Sequence, residues 1–595
     1  MKSRLLILVS AAAAFAQPVP RPEYPQPQFE REQWLTLNGP WEFEFDDANA
    51  GLNQKWQKGT KAFTKKITVP YAFESKLSGI GDTTFHPWVW YRRAVTLPQG
   101  WSGKRVLLQF GAVDYQAMVW VNGAYLGSHE GGNVPFRFDI TPHLKPGANV
   151  ITVRAEDVPT DEFMPRGKQY WLPKSRGIFY TRTSGIWQPV WLETVGDNHL
   201  ASVRITAGMA GAAKFEARLA RNEAGLELRA VVEGTTVTAT TTAEPVQGLS
   251  YVDPTPRLWS PENPNLYNVT FELRRGGQMI DRVKSYFGFR TVTIGSDTLL
   301  LNRRPLFLRT VLDQGYWPDG ILTPPTDAAI QYDIRMMKEM GFNGARKHQK
   351  IEDPRFHYWA DKLGLLVTGE MANAVKYDEV YAARFTREWI EAVERDYNHP
   401  SLIMWIPINE SWGVPNLEDP RQQQHLISLY ALTKSLDATR PVIDNDGWEH
   451  TDHTDLTSLH DYARTGKMMT EKYAKVSRAK GSLIPDNGRP AMIPGFAYNG
   501  TPYWMSEFGG VAYLPPGMEA SAEAWGYSGV ERNEAVAKAR IAELFESATK
   551  LPFNAGYCYT QLTDVEQEIN GLMTYDRKPK FDVKLIREWN SYSRW

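Results

Sequence analysis

Two short apolar runs in this chain each stop at a carboxylate, and few folds can use that pattern. One is Trp405-Ile-Pro-Ile-Asn-Glu410, the other Tyr503-Trp-Met-Ser-Glu507. An apolar run bounded by turn residues reads as a strand buried on both faces, which implies a parallel sheet covered by helices. A carboxylate at the tip of such a strand sits where barrel enzymes keep their chemistry. Two tips supply two facing acids, the equipment for protonating a leaving oxygen and for attacking a sugar carbon or activating water.

The charge balance narrows the partners. Lys and Arg number 67 against 68 Asp and Glu, a net charge of -1, so no global field draws nucleic acid or an anionic membrane surface. Neutral carbohydrate is a natural partner, and 21 Trp supply rigid faces for sugar C–H groups, although most Trp in any protein are core. The single cysteine, Cys558, allows no internal disulfide and is expected in the core. Residues 1–16 read as a signal peptide: Lys2 and Arg4, then an apolar run, then Ala14-Phe15-Ala16 as a cleavage site. The mature protein is therefore expected to be exported to the periplasm or the extracellular space, without a membrane span.

Three blocks follow. Residues 28–195 contain short alternating runs such as Val106–Phe110, Ala117–Val121 and Asn149–Val153. The Asn122-Gly123 pair between two of them is a hairpin signal. Residues 198–292 form a second all-β block, the size of one immunoglobulin-like sandwich. From about residue 296 to 595 helical patterns alternate with strand candidates, and eight strands can be counted. The helix signals are clearest at Asp327–Met340, with Thr326 as N-cap, and at Glu534–Ala548. Eight strands in a block of this length fit a (β/α)8 barrel, with Glu410 after the fourth and Glu507 after the seventh.

On three motifs the chain resembles glycoside hydrolase family 2, the group of β-galactosidases, β-glucuronidases and β-mannosidases. They are Leu308-Arg-Thr-Val-Leu-Asp-Gln314, Asn409-Glu410 and Ser506-Glu-Phe-Gly509. The resemblance implies a sugar-binding-like jelly roll, an immunoglobulin-like sandwich and a catalytic TIM barrel, in that order. It also implies a retaining, exo-acting β-glycosidase with Glu410 as acid/base and Glu507 as nucleophile. Retention requires the two carboxyl groups to lie roughly 5 to 5.5 Å apart, and an acid role calls for a raised pKa on Glu410. By the same resemblance Asn409 donates to a sugar hydroxyl, Arg346 holds the nucleophile and Tyr462 contacts it. Glu370, His348, His460, Trp504 and Asp313 complete the candidate substrate-binding set, with the histidines read as site walls rather than metal ligands.

The sugar is less constrained. Family β-glucuronidases carry Asn-x-Lys before the last barrel segment, and this chain has Glu568-Ile-Asn570 there. An anion facing a uronate costs Coulomb energy, so the expectation is a neutral sugar, galactose-type first, with β-glucuronidase or another family specificity as the alternative. Many members also present an Asp where this chain has Phe179. A two-carboxylate mechanism requires no cofactor, although some members bind Mg2+ near the site. A non-catalytic carbohydrate-binding protein is the alternative from another class, and it has no use for two strand-tip glutamates. Family members differ in oligomeric state.

Overall fold

The computed structural model describes residues 19–477, 479–480 and 488–592; the signal-peptide assignment at residues 1–16 lies outside them. Two sheets face each other in the N-terminal sandwich. One has four strands in the order Trp34–Thr36, Val190–Val195, Arg105–Phe110 and Phe136–Asp139, and the other has six. Their inward faces bury a single core that includes Trp41, Phe43, Tyr91, Leu108 and Val153. The Asn122-Gly123 turn links Gln116–Val121 to Ala124–Glu130, and both turn residues have positive φ, 52° and 81°. That is the type I′ geometry that matches strand twist, and Asn-Gly adopts it at little cost.

The second sandwich packs a three-stranded sheet (Leu200–Ala207, Ala212–Leu219, Gln247–Val252) on a four-stranded one around Phe215, Phe271 and Phe287. It is bolted to the barrel through buried polar groups. Arg290 donates to the carbonyls of Pro400 and Leu402 at 3.0 and 2.9 Å, and Trp259 donates to the carbonyl of Asp361 at 2.9 Å. Each satisfies a buried backbone acceptor that would otherwise be desolvated without a partner.

The barrel strands are β1 (Leu308–Asp313), β2 (Gly344–Lys347), β3 (Leu366–Glu370), β4 (Leu402–Ile406, continued at Ile408–Asn409), β5 (Asn445–Asp446), β6 (Thr457–Asp461), β7 (Tyr503–Gly509) and β8 (Asn554–Thr560). Seven form one parallel sheet in the order β4-β3-β2-β1-β8-β7-β6. Closure comes through β5, which pairs with Ile408–Asn409 on one side and takes a hydrogen bond from His460 N to Gly447 O on the other. The helix Asp327–Glu339 begins at Thr326, whose hydroxyl accepts from Ala329 N, and Glu534–Lys550 is capped by Asn533. Leu299 and Leu301, on a hairpin ahead of β1, plug the lower end of the barrel against Leu308, Ile403, Trp504 and Cys558. Among the described residues no helix is long and apolar enough to cross a membrane.

One loop of the first sandwich reaches over the upper end of the barrel. Arg166 N and Gly167 N donate to Asn373 O at 3.2 and 3.0 Å, while Gln567 Nε2 and Trp525 Nε1 donate to Gly177 O at 2.7 and 2.9 Å. Gly167 has φ of 60°, and a Cβ there would collide with the carbonyl oxygen of Gln349. Gly167→Ala should therefore unseat this loop, at a cost of about 2–4 kcal/mol from the collision and the left-handed backbone together. The expected readouts are a lower Tm and early proteolytic nicking between residues 158 and 184, and an unchanged Tm would contradict the tight approach.

Candidate active site

Alternation along the strands decides which side chains enter the barrel lumen. On β1, Leu308 and Leu312 face the interior core while Val311 faces the helices, and Asp313 shares the parity of Val311. Asp313 is therefore turned away from the lumen. It accepts from Lys347 Nζ at 2.6 Å, and the same ammonium also lies 2.6 Å from Glu352. Asp313 anchors a buried ion network, which corrects its expected place in the substrate set. Trp504 needs the same correction: it is 0% exposed and packs in the lower interior core beside the hairpin plug, one layer of side chains below the tips.

Further along β7 the alternation breaks. Met505 and Phe508 both face the helices, and the pairing slips between them and again opposite Leu459 and His460. This bulge leaves both Ser506 and Glu507 on the inner side, re-aiming a side chain as bulges commonly do beside active sites. On β4 the device is different. Glu410 and Ser411 have φ of 52° and 61°, left-handed values rare for residues with a Cβ. They are pinned by Glu410 N to Asp446 O at 2.8 Å and Ser411 N to Asn445 Oδ1 at 2.9 Å. Backbone held there costs of order 1 kcal/mol per residue, and such strain concentrates at functional sites.

Arg346, at the inner face of β2 and 0% exposed, joins these tips. Its Nε and Nη2 reach Glu370 at 2.7 and 3.2 Å, Nη1 reaches Glu507 at 2.9 Å and Asp446 at 2.7 Å, and Nη2 reaches Asn409 Oδ1 at 2.6 Å. Burial alone would lower the guanidinium pKa, yet the surrounding carboxylates raise it well above its ordinary value, so the cation is fixed. Glu370 also accepts from Gln349 N at 2.9 Å, with His348 Nδ1 3.0 Å away. Its acceptors are spent on protein, which makes it a clamp for Arg346 rather than a sugar ligand. His348 is buried and held neutral, its pKa far below the usual value chiefly by desolvation.

Tyr462 donates to the second oxygen of Glu507, and its ring stacks on Tyr527 at 3.4 Å between centroids. Asn409 engages its amide oxygen with Arg346, whereas its buried Nδ2 has no partner among the described residues. His460 bridges two acids: Nδ1 lies 2.8 Å from Glu410 Oε1 and Nε2 2.7 Å from Asp446 Oδ2. One oxygen of Glu410, one of Glu507 and a ring nitrogen of His460 all fall within 4.8 Å of one another.

The charges in this cluster differ from the expectation. Burial pushes His460 down, but Glu507 and Asp446 outweigh it and raise its pKa to about 10. Burial likewise pushes Glu410 up, but the hydrogen bond and charge of His460 outweigh it and hold the carboxyl at about 2. The raised pKa expected of Glu410 is thus reversed, because its neighbour is a cation. Three site residues have no counterpart in the sequence reading. Asp446 ends β5, Tyr527 follows β7, and Lys168 comes from the loop of the first sandwich.

Family models agree with this architecture. The sugar-binding domain model of glycosyl hydrolases family 2 matches residues 35–173, the family's second model residues 190–290 and its TIM barrel model residues 292–593. A β-glucuronidase of Canis lupus familiaris is 28% identical over 472 residues, covering 72% of this chain and 70% of that one. A β-galactosidase of Leuconostoc mesenteroides is 27% identical over 537 residues, and there the match spans 78% of this chain and 47% of the relative, about half its length. Among solved structures, a β-glucuronidase from Ruminococcus gnavus in complex with N1-substituted uronic isofagomine superposes with a TM-score of 0.76 at 20% identity, over 96% of this chain and all of the other. At that identity the likeness concerns the fold. With the barrel model matching more than half of its length, the chain belongs to glycosyl hydrolases family 2.

Proposed function

We propose that the protein is a retaining, exo-acting β-glycosidase that releases terminal β-linked sugars from oligosaccharides, with Glu507 as nucleophile and Glu410 as acid/base. The observation that carries this reading is the closeness of the two acids, whose nearest oxygens fall within 4.8 Å. Retaining enzymes separate their carboxyl groups by roughly 5–5.5 Å, inverting ones by roughly 6.5–9.5 Å to admit a water. Glu507 is held at both oxygens, by Arg346 on one and Tyr462 on the other, so its attack direction is set before substrate enters. The free Nδ2 of Asn409 is the donor for a sugar hydroxyl beside the reacting carbon. Exo action fits a pocket covered by the loop carrying Lys168, Phe179 and Tyr180. Export, expected from residues 1–16, would place the enzyme where it meets such oligosaccharides.

The proton for the leaving oxygen belongs to the Glu410–His460 pair. With the His460 pKa raised and that of Glu410 lowered, the proton belongs on His460 Nδ1 and the pair is ionic. When a sugar fills the pocket and expels water, the loss of solvation penalises the ion pair more than the neutral one. The proton then shifts across the 2.8 Å hydrogen bond to Glu410, which delivers it to the glycosidic oxygen as Glu507 attacks. Bond making at the sugar carbon and bond breaking to the leaving oxygen leave a glycosyl-Glu507 ester. Glu410, now a carboxylate, takes a proton from water in the second step and passes it back to His460 as the ester is hydrolysed.

The donor set argues against a resident metal. Of the three groups that converge within reach of one ion, His460 has both ring nitrogens engaged by carboxylates and carries a proton. Glu507 already faces the Arg346 cation at 2.9 Å. Mg2+ prefers six oxygen ligands, so these residues do not suit it.

Glu507→Gln should lower kcat by roughly 10^4-fold or more on any substrate the enzyme accepts, and proton NMR of the wild-type reaction should detect the β-anomer of the released sugar first; initial α-anomer would exclude retention. The pair keeps its proton until pH approaches the His460 value of about 10, so the basic limb of kcat/KM should lie well above neutrality. His460→Asn should move that limb to lower pH, because the proton would then depend on Glu410 alone; an unmoved limb would remove His460 from the proton path. For stability the sign is fixed: His460 has a raised folded pKa, so its contribution is full below pH 6.5 and disappears as pH rises through about 10. Arg346→Met should cost about 3–5 kcal/mol by leaving Glu370, Asp446 and Glu507 uncompensated. Denaturant unfolding measures it, and a loss under 1 kcal/mol would contradict the clamp.

A further inference from the structure

Lys168 is a largely buried residue whose ammonium has no ion-pair partner among the described residues. The residue is 6% exposed and comes from the loop that covers the barrel. Among the described residues, the one polar or ring contact of its ammonium is with the face of Phe179, 5.8 Å from the centroid. Among the described residues no carboxylate lies within ion-pair distance of it. Phe179 meets Trp412, two residues past Glu410, edge-on at 5.2 Å, and Tyr180, whose N donates to Lys168 O at 2.9 Å, donates its hydroxyl to Glu568, so Lys168 lies beside the pocket. Its stem is buried while its charge is left without an acidic partner, an arrangement that an anionic group entering the pocket would complete.

Glu568 is the obvious internal partner, and it is otherwise engaged. Tyr180 Oη donates to one of its oxygens at 2.6 Å and Asn570 Nδ2 to the other at 2.9 Å. Burial raises its pKa, which weakens its claim on the lysine. Phe179, where many family members present an acid, offers a ring to the ammonium and no charge. The core of the site holds Glu370, Glu410, Asp446 and Glu507 against Arg346 and His460, both of which are saturated with acceptors. Arg489, the cation beside Glu410 O at 3.3 Å, already lies 3.5 Å from the carboxylate of Glu449, whereas Lys168 has no such acidic partner.

We infer that Lys168 pairs with a carboxylate on the substrate sugar, so that the pocket takes a β-linked uronic acid. The inference rests on the glycosidase reading for its reaction and on Lys168 alone for its sugar. It reverses the neutral-sugar preference drawn from Glu568, because that acid is capped by Tyr180 and Asn570 and lies beside a cation the sequence did not reveal.

The test compares aryl β-glucuronide, β-galacturonide and β-galactoside in wild-type protein, Lys168→Met and Lys168→Arg, and measures calorimetric binding of glucuronate, galacturonate and galactose to the Glu507→Gln background. A desolvated charge pair that loses one member should show as a roughly 100-fold fall in the uronide-to-galactoside ratio of kcat/KM for Lys168→Met, with Lys168→Arg falling less. Uronate binding should weaken with added salt and vanish when Lys168→Met is combined with Glu507→Gln. A wild-type preference for galactoside, or a ratio that Lys168→Met leaves unmoved, overturns the assignment. Turnover of galactoside with retention but no uronate binding keeps the hydrolase and removes this role for Lys168. Lysine-dependent uronate binding without turnover of any glycoside keeps the role and removes the hydrolase.

Discussion

The upper end of the barrel depends on one buried cation. Arg346 leaves β2 and meets acceptors from β3, β4, β5 and β7, so a single planar group fixes the relative position of five strand tips. A lysine could satisfy the charge but not the geometry, because it presents a point charge where Arg presents a fork of five donors. The carboxylates in turn make the arginine affordable in a desolvated place. Neither partner is stable there alone, and this mutual dependence positions Glu507 without any contribution from substrate.

The same cluster governs the proton. Asp446 accepts from both Arg346 and His460, and through it the imidazole is drawn into the field of the barrel's acids. His460 becomes a cation and Glu410 its counter-ion. Two groups that would each be miscast alone, an acid lacking its proton and a base that holds one too tightly, form on the proposed mechanism a pair with one proton to give. The excess of acids over cations also suits the positive charge that develops on the sugar ring in the transition state.

How much of this was legible in the sequence depends on the kind of information each feature carries. Apolar runs ending at a carboxylate marked strands well, because burial on both faces writes itself into composition, and so the strand count and the tip positions of Glu410 and Glu507 could be read, whereas Asn409 and Arg346 came from the family resemblance alone. Side-chain direction could not. Trp504 and Glu507 lie three residues apart on one strand, and only the bulge between Met505 and Phe508 sends one to the lower core and the other to the tip. Asp313 ends its strand as Glu370 ends its own, and one residue of parity separates a place in the network with Lys347 from a place in the lumen. The reversed pKa of Glu410 was hidden for a different reason: it is a property of the distance to His460, and no local pattern encodes it.

Lys168 stands furthest from anything a motif could reveal, because its meaning comes from what surrounds it in another domain. On the proposed mechanism the barrel supplies the nucleophile, its clamp and the proton, and the loop of the first sandwich supplies the ammonium and the aromatic ring it faces. Backbone contacts at Asn373, Gly177 and Gln349 hold that loop against the barrel, so the charge is delivered at fixed depth rather than on a mobile arm. This division has a physical consequence. Substitutions in the loop can change which sugar is drawn in without touching the Arg346 network, whereas the strand tips are coupled through one guanidinium and cannot vary independently. Specificity in this fold is therefore free to move where catalysis is not, and the sugar has to be read from the loop.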